Sequence, residues 1–444
     1  MAINRRQFIK RSAGAVSVSL VMPKFWMSNM ALGQEAAAAD PNRKIFLVIQ
    51  LAGGNDGLNM VVPFTDTKYQ ALRPTLGFKD TDLKDAQGNS TILGNDPLGL
   101  NPAMSELKSL YDAGRVAILL GVGYPNPNLS HFFSMDVWGT ANLTAAGVGW
   151  LGRYADQKLL GKSGLSAVSI GGSLPKTFYA NKFVIPNITP AGNPDPFVNY
   201  AFQTDGKFVG DKNNQINTFK STNTRSFPAD SFIDAIAKDG FDAEEGAAQL
   251  RAAVLNYTPG ATYPTGGQPS TTAVSFASAL KMVAQIITTI PDANLFYVQL
   301  GGFDHHSQEI GTNADNFTDK TKGQHAVLLK ALSLGVKTFY DDLAAHGVAD
   351  NVVMMTWSEF GRRPNENASH GTDHGTGSPM FVIGNAVHGG LYGQQPALSD
   401  LDSAGNLKFK VDFRSMYATI LDKWLGADSQ SILGAKFDNV GFLG

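Results

Sequence analysis

Four times in this chain a nearly continuous apolar run breaks into a glycine- or proline-rich turn loaded with polar side chains. Arg43–Gln50 (RKIFLVIQ) leads into Gly53-Gly54-Asn55-Asp56-Gly57, and Val116–Gly121 (VAILLG) into Tyr124-Pro125-Asn126-Pro127-Asn128-Leu129-Ser130-His131. Asn294–Leu300 leads into Gly301-Gly302-Phe303-Asp304-His305-His306, and Asn351–Trp357 into Glu359-Phe360-Gly361-Arg362 and on to Gly371-Thr372-Asp373-His374-Gly375. Apolar runs without alternation are what strands buried on both faces of a parallel sheet require. Shorter runs of the same kind are Leu165–Gly171 and Phe381–Gly384. Between them lie stretches with helical spacing: Pro102–Gly114, Ser130–Asn142, Gly149–Leu160, Ala229–Tyr257, Thr272–Ile290, Lys322–Gly347 and Asp412–Leu425. The expectation is an α/β fold with a mostly parallel central sheet flanked by helices. In such sheets the turns after the strands gather on one edge, where ligands bind.

The chain is long enough for a large core, with 444 residues, 43% of them hydrophobic and 17% charged. Its start, Asn4-Arg5-Arg6-Gln7-Phe8-Ile9-Lys10, is a twin-arginine sequence followed by an apolar run to Met22 and small residues at Ala36–Ala39. Residues 1–39 therefore read as a signal peptide of a protein exported to the periplasm or secreted, with no integral membrane segment once it is removed. These residues hold five basic side chains and one acid, which leaves 31 basic against 37 acidic in residues 40–444. No basic stripe forms, so nucleic acid is not an expected partner. The absence of cysteine excludes thiolate metal sites and cysteine nucleophiles. Residues 40–444 read as a single domain. Within it, about 181–272 is an inserted, lid-like segment, because Asn, Pro, Thr, Gly and Lys dominate there. The turn-rich stretch Asp80–Leu100 reads as a hairpin.

Carboxylates and imidazoles at the four turns suit Zn²⁺ first, with Mg²⁺, Mn²⁺ or Ca²⁺ as other options, and the candidate metal ligands are Asp56, Asp304, His306, Asp373 and His374. Each of these turns is also compatible with an ordinary turn. Ser130 has two readings of its own. It is a good helix N-cap, and a hydroxyl in that place also faces the backbone N–H groups and dipole that favour an anion, which makes it a candidate nucleophile. Arg362 is a candidate catalytic residue, and with Arg363 it could hold non-bridging oxygens; Asn55 and His131 are candidate substrate contacts. The long helix expected over Lys322–Gly347 suggests that His325 and His346 are solvated or capping rather than ligating.

Gly54-Asn55-Asp56-Gly57-Leu58-Asn59, Ser130-His131-Phe132, Gly302-Phe303-Asp304-His305-His306, Ser358-Glu359-Phe360-Gly361-Arg362 and Gly371-Thr372-Asp373-His374-Gly375 occur in this order. The set resembles the secreted "domain of unknown function 1501" family over most of residues 40–444. That family in turn resembles the alkaline phosphatase and sulfatase superfamily. The resemblance implies an alkaline phosphatase-like fold and a metal-dependent hydrolase of phosphate or sulfate esters, acting on a small-molecule or polysaccharide ester. It implies Asp56 as the first-strand ligand, Ser130 as the helix-capping nucleophile, Asp304 with His306 as one ligand pair and Asp373 with His374 as another. Departures are visible. Phe132 and Ser134 stand where a sulfatase nucleophile motif has proline and arginine, which argues against a formylglycine sulfatase. The Asp304–His306 spacing is short, and the last histidine ligand is not identified between His370 and His388. A non-catalytic envelope or polysaccharide-binding protein that retains the fold is the alternative.

Overall fold

The computed structural model describes residues 40, 42–189, 221–222, 246, 249–250, 253–254, 257–267, 269–311 and 319–444. The twin-arginine segment, most of the expected lid at 181–272 and the helix expected over Ala229–Tyr257 lie outside the described residues.

Eleven strands are described: β1 (Ile45–Ala52), β2 (Val61–Val62), β3 (Gly99–Leu100), β4 (Val116–Gly123), β5 (Ala167–Ile170), β6 (Asn187–Ile188), β7 (Leu295–Gly301), β8 (Val352–Trp357), β9 (Ser378–Ile383), β10 (Gly390–Gly393) and β11 (Val411–Asp412). All but the β2–β3 ribbon form one sheet in the order β10-β4-β9-β8-β1-β7-β5-β6, with β11 beside β4. β1 runs parallel to β7 and β8, β7 to β5, and β4 to β10 and β11, whereas β9 lies antiparallel between β4 and β8. The mostly parallel central sheet read from the sequence is therefore present.

Its central strands are mostly apolar because both faces are covered. Along β1, Ile45, Leu47, Ile49 and Leu51 enter one core while Phe46 and Val48 enter the other, the period-2 alternation of a pleated strand. The first core is closed by helices Thr271–Thr289 and Gln324–Ala345, through side chains such as Phe276, Leu280, Leu329 and Phe339. Helix Thr271–Thr289 has the length and hydropathy of a membrane span, but most of that apolar stretch is buried inside the fold, as suits a core helix. The second core is aromatic and is closed by helices His131–Thr140, Trp150–Lys158 and Phe413–Thr419. There Trp138 stacks on Trp357 with centroids 5.4 Å apart, and Trp150 stacks on Tyr417 at 4.2 Å. Such pairs add about 0.5–1.5 kcal/mol beyond the area they bury.

Several elements differ in detail from the expectation. The helix expected over Pro102–Gly114 opens with the 3₁₀ turn Pro102–Met104 before Ser105–Asp112, and Gly114 ends it at φ +72°. Phe413–Thr419 passes into a π-turn over Ile420–Trp424. Asp80–Leu100 folds back on itself through antiparallel bridges Lys84–Ser90 and Ile92–Gly99. The helix Gln324–Ala345 buries His325, which is therefore neither solvated nor capping, while His346 caps as expected by reaching the Asp342 carbonyl at 2.8 Å.

The topology decides where chemistry collects. β1, β4, β7 and β8 point the same way, so their carboxyl ends share one edge; β9 runs backwards, so the chain enters it from that same edge. Four segments, those after β1, β4 and β7 and the connection from β8 to β9, meet there.

Candidate metal centre

At that edge the polar turns approach closely. Gly53 has φ +123°, and a Cβ there would lie 2.5 Å from the Asp304 nitrogen; a Cβ on Gly371 would lie 2.4 Å from the His306 carbonyl carbon. Only glycine allows backbones this near, which brings the β1, β7 and β8–β9 turns into contact.

His131, Asp304 and His374 each direct one ligand atom into a common space, all within 4.8 Å of one another. His131 Nε2 and His374 Nε2 are 3.0 Å apart, His374 Nε2 is 3.3 Å from Asp304 Oδ1, and His131 Nε2 is 3.5 Å from Asp304 Oδ2. His306 joins from the other side of the shared edge, its Nε2 being 3.0 Å from His374 Nε2 and 3.1 Å from Asp304 Oδ1. Phe360 packs against the rings of both His131 and His374, with centroids 4.8 and 4.7 Å away, and fixes their tilt from the protein side.

The outer nitrogens settle the tautomers. His374 Nδ1 faces the Leu129 carbonyl at 2.8 Å, and a carbonyl only accepts, so the proton is on Nδ1 and the Nε2 lone pair points inward. His131 Nδ1 donates to the Glu359 carboxylate at 2.8 Å, and His306 Nδ1 to Asp373 at 3.3 Å, with the same consequence. Three imidazole lone pairs and a carboxylate thus face one another. Two bare ring nitrogens 3.0 Å apart repel unless a proton or a cation lies between them. Carboxylate and carbonyl partners behind inward-facing histidines are also the usual support of imidazole metal ligands. For bonds of 2.0–2.1 Å a tetrahedral ion needs ligand separations of about 3.3 Å; the two Nε2 atoms are 3.0 Å apart, and each imidazole has one or the other Asp304 oxygen at 3.3 or 3.5 Å. The residues fit a divalent cation of the zinc kind.

The charges agree. Burial works against ionisation of Asp304, but the Arg362 guanidinium bonded to it at 2.5 Å outweighs this and holds its carboxyl down at about 2, so it is an anion at neutral pH. The bond to Glu359 raises His131 above its ordinary value, whereas burial lowers His374.

Other residues singled out in the sequence take different places. Asp56, expected as a ligand, is not in the group: it is fully buried at the start of the short helix Gly57–Met60, and Arg73 forks onto both of its oxygens at 2.5 and 2.9 Å. Asn55, expected to touch substrate, is buried too, where its Oδ1 accepts from His325 Nε2 at 2.9 Å. Arg362, expected to act on substrate, spends its guanidinium instead on the carbonyls of Gly53, Gly54, Phe303 and Thr372 and on Asp304, which clamps three strand-end turns together. Asp373 stands at the rim behind His306 and also accepts from Asn367 Nδ2 at 3.2 Å. His131, expected to contact substrate, lies inside the donor set. Ser130 is the N-cap by backbone position, but its hydroxyl makes no capping bond and is exposed. Its chain neighbours on either side, Leu129 and His131, both contact His374. His370 and His388 are outside the group.

Glu359 stands in the polar turn and the Ser358-Glu359-Phe360-Gly361-Arg362 motif read from the sequence, but its role behind His131 has no local signal; the Leu129 carbonyl escapes that reading altogether, since a backbone group has no sequence signature.

The family model "Protein of unknown function (DUF1501)" matches residues 117–439. The chain belongs to this family. Both the Ser130-His131 turn and the Asp373-His374 turn of this DUF1501 member fall within the match, whereas Asp56 precedes it. No curated protein matches. Among solved structures, Ps i-CgsB in complex with k-i-k-neocarrahexaose is similar at 11% identity over 89% of this chain and 73% of that one, with a TM-score of 0.35. A protein in the alkaline phosphatase superfamily from Vibrio parahaemolyticus is similar at 10% identity over 82% and 64%, with a TM-score of 0.35. PsFucS1 sulfatase from Pseudoalteromonas sp. is similar at 11% identity over 90% and 72%, with a TM-score of 0.33. At such distances no residue role is carried across.

Proposed function

We propose that this protein is a divalent-cation-dependent hydrolase of phosphate or sulfate esters, exported by its twin-arginine segment, with Ser130 as nucleophile. The observation that carries the reading is the convergence of the His131 and His374 lone pairs with the Asp304 carboxylate, each imidazole held in one tautomer from behind. His131, Asp304 and His374 would hold the ion, and His306 stands where it can complete the set. Zinc fits three imidazoles and one carboxylate best. When bound, the ion supplies Lewis acidity toward an ester oxygen.

The chain's own residues do the rest. Ser130 presents an exposed, unbonded hydroxyl at the start of the ten-residue helix His131–Thr140, where the first-turn N–H groups and the helix dipole favour the anionic ester group. Attack by Ser130 Oγ on phosphorus or sulfur expels the alcohol and leaves a seryl ester, which water then hydrolyses. Arg362 does not touch substrate in this reading; it keeps Asp304 ionised and aimed.

Metal analysis of the purified protein, followed by a panel of aryl phosphate, phosphodiester and aryl sulfate esters, tests the reading. Stoichiometric zinc and turnover of one ester class are expected, with Ser130→Ala lowering turnover by roughly 1000-fold or more. Absence of turnover with zinc, manganese, magnesium or calcium would leave a binding protein with this fold, and full activity in Ser130→Ala would overturn Ser130 as the nucleophile.

A further inference from the structure

Glu359 is the second residue after β8 and is wholly buried. A buried carboxylate is normally met by lysine or arginine, because taking an isolated charge out of water costs several kcal/mol. Among the described residues Glu359 has no such partner; the one side chain within ion-pair distance is His131. Its Oε1 accepts from His131 Nδ1 and from the Gly53 N–H, both at 2.8 Å, and its Oε2 lies 3.5 Å from Ser358 Oγ. Its backbone carbonyl accepts from Trp138 Nε1 at 2.9 Å, so the helix carrying His131 is tied to Glu359 by both main chain and side chain. The carboxylate therefore cannot swing away, and its charge has one outlet, through the imidazole to whatever His131 Nε2 faces. Asp373 and the Leu129 carbonyl serve the other two histidines differently. Asp373 is half exposed and bonded at 3.3 Å, and Leu129 offers a neutral acceptor.

We propose that Glu359 is a positioning residue for cation binding: it fixes the Nδ1–H tautomer of His131 and, through the ring, lends its buried negative charge to the Nε2 donor. It touches neither ion nor substrate. The inference rests on the metal-binding reading above, and goes beyond it by assigning the one buried carboxylate among the three histidine supports to a residue outside the donor set.

The test uses the full chain, stripped by chelator and reloaded with Co²⁺ or Zn²⁺. Affinity is read by chelator competition and the donor set by the visible absorption of Co²⁺. Glu359→Gln retains an oxygen acceptor and the shape but removes the charge. It is expected to bind roughly 10- to 100-fold more weakly, the span usual for loss of such a support, with a changed Co²⁺ spectrum and an unchanged denaturation midpoint in chelator. Glu359→Asp, which keeps the charge, should recover part of the affinity, and it serves as the primary variant if Glu359→Gln does not fold. His131→Ala combined with Glu359→Gln should bind no more weakly than His131→Ala alone. Wild-type affinity in Glu359→Gln, a Glu359→Asp variant that binds no better than Glu359→Gln, or additive losses in the double variant would each overturn the assignment. A wild-type protein that takes up neither ion overturns the underlying reading, and this result is separate from any of those.

Discussion

Two clusters of carboxylates and imidazoles stand at the same sheet edge and are made of the same residue types, yet they are opposites. In the open one, His131, Asp304, His306 and His374 turn bare donors toward one another and are partly exposed. In the closed one, Asp56, Arg73, Glu309, His325, Asn55 and Asn59 are buried and bonded: Arg73 neutralises Asp56, Asn59 Nδ2 donates to Glu309 Oε1 at 3.2 Å, and Thr372 donates to Glu309 Oε2 at 3.0 Å. Burial works against ionisation of Asp56, but the Arg73 charge and hydrogen bonds outweigh it and hold the carboxyl well below the usual range. Burial, then the Asp56 charge, push the Glu309 carboxyl well above the usual range. Burial also pushes His325 down to about 3 and keeps it neutral. Each cluster has an arginine on a carboxylate, and the difference lies in what that leaves unmet. Arg73 forks onto both oxygens of Asp56, whereas Arg362 takes only Oδ1 of Asp304 and leaves imidazole nitrogens facing one another, an arrangement that a proton or a cation between them relieves.

Breaking the closed cluster should have the largest effect. Arg73→Ala strands Asp56 in the core and is expected to cost about 3–5 kcal/mol, read by urea unfolding; a loss below about 1 kcal/mol would mean that the two clusters are not distinct in kind. Next, His374→Ala should weaken zinc affinity by about 100-fold or more in equilibrium dialysis while moving the urea midpoint in chelator little, the reverse of the Arg73 result. The clusters should also part in acid. His325 binds fewer protons in the fold than in the unfolded chain, whose histidines titrate near about 6.5, so its contribution to stability is full above that pH and is lost as pH falls toward about 3. Urea titrations across this window should show stability falling, and His325→Gln should flatten part of the slope. The smallest effect is expected at the rim: Ser130→Ala should change stability by under about 0.5 kcal/mol, because its hydroxyl makes no capping bond, and a loss of about 1 kcal/mol or more would return Ser130 to the role of a plain cap.

The sheet was legible because burial on both faces leaves a signal of its own: β1, β4, β7 and β8 are each built on a nearly continuous apolar run. The edge at which chemistry gathers followed from strand direction. The division of labour among the residues at that edge did not. Asp56 and Asp304 both follow a glycine turn after a buried strand, and nothing local tells one from the other; what separates them is Arg73, seventeen residues from Asp56 and in an unremarkable helix end. Arg362 reads as a substrate anchor because arginine after a strand commonly is one, but the positive-φ turn at Gly53–Gly54 presents carbonyls that consume its donors. His325 was misplaced because helical periodicity says which side of a helix is apolar, and not which polar side chain finds a partner beneath it.

The reversed strand β9 has a further consequence. Because β8 and β9 are hydrogen-bonded neighbours running in opposite senses, the chain between them departs from and returns to the same rim, carrying Glu359, Arg362, Asp373 and His374 in one excursion. A parallel connection would have had to cross a face of the sheet and pack a helix there. This excursion is anchored at both ends by strands and tied inward through Arg362 to the β1 and β7 turns and through the Glu359 carbonyl to Trp138, so one stretch of chain delivers candidate donor, support and clamp together, and a change in its length would disturb all three at once.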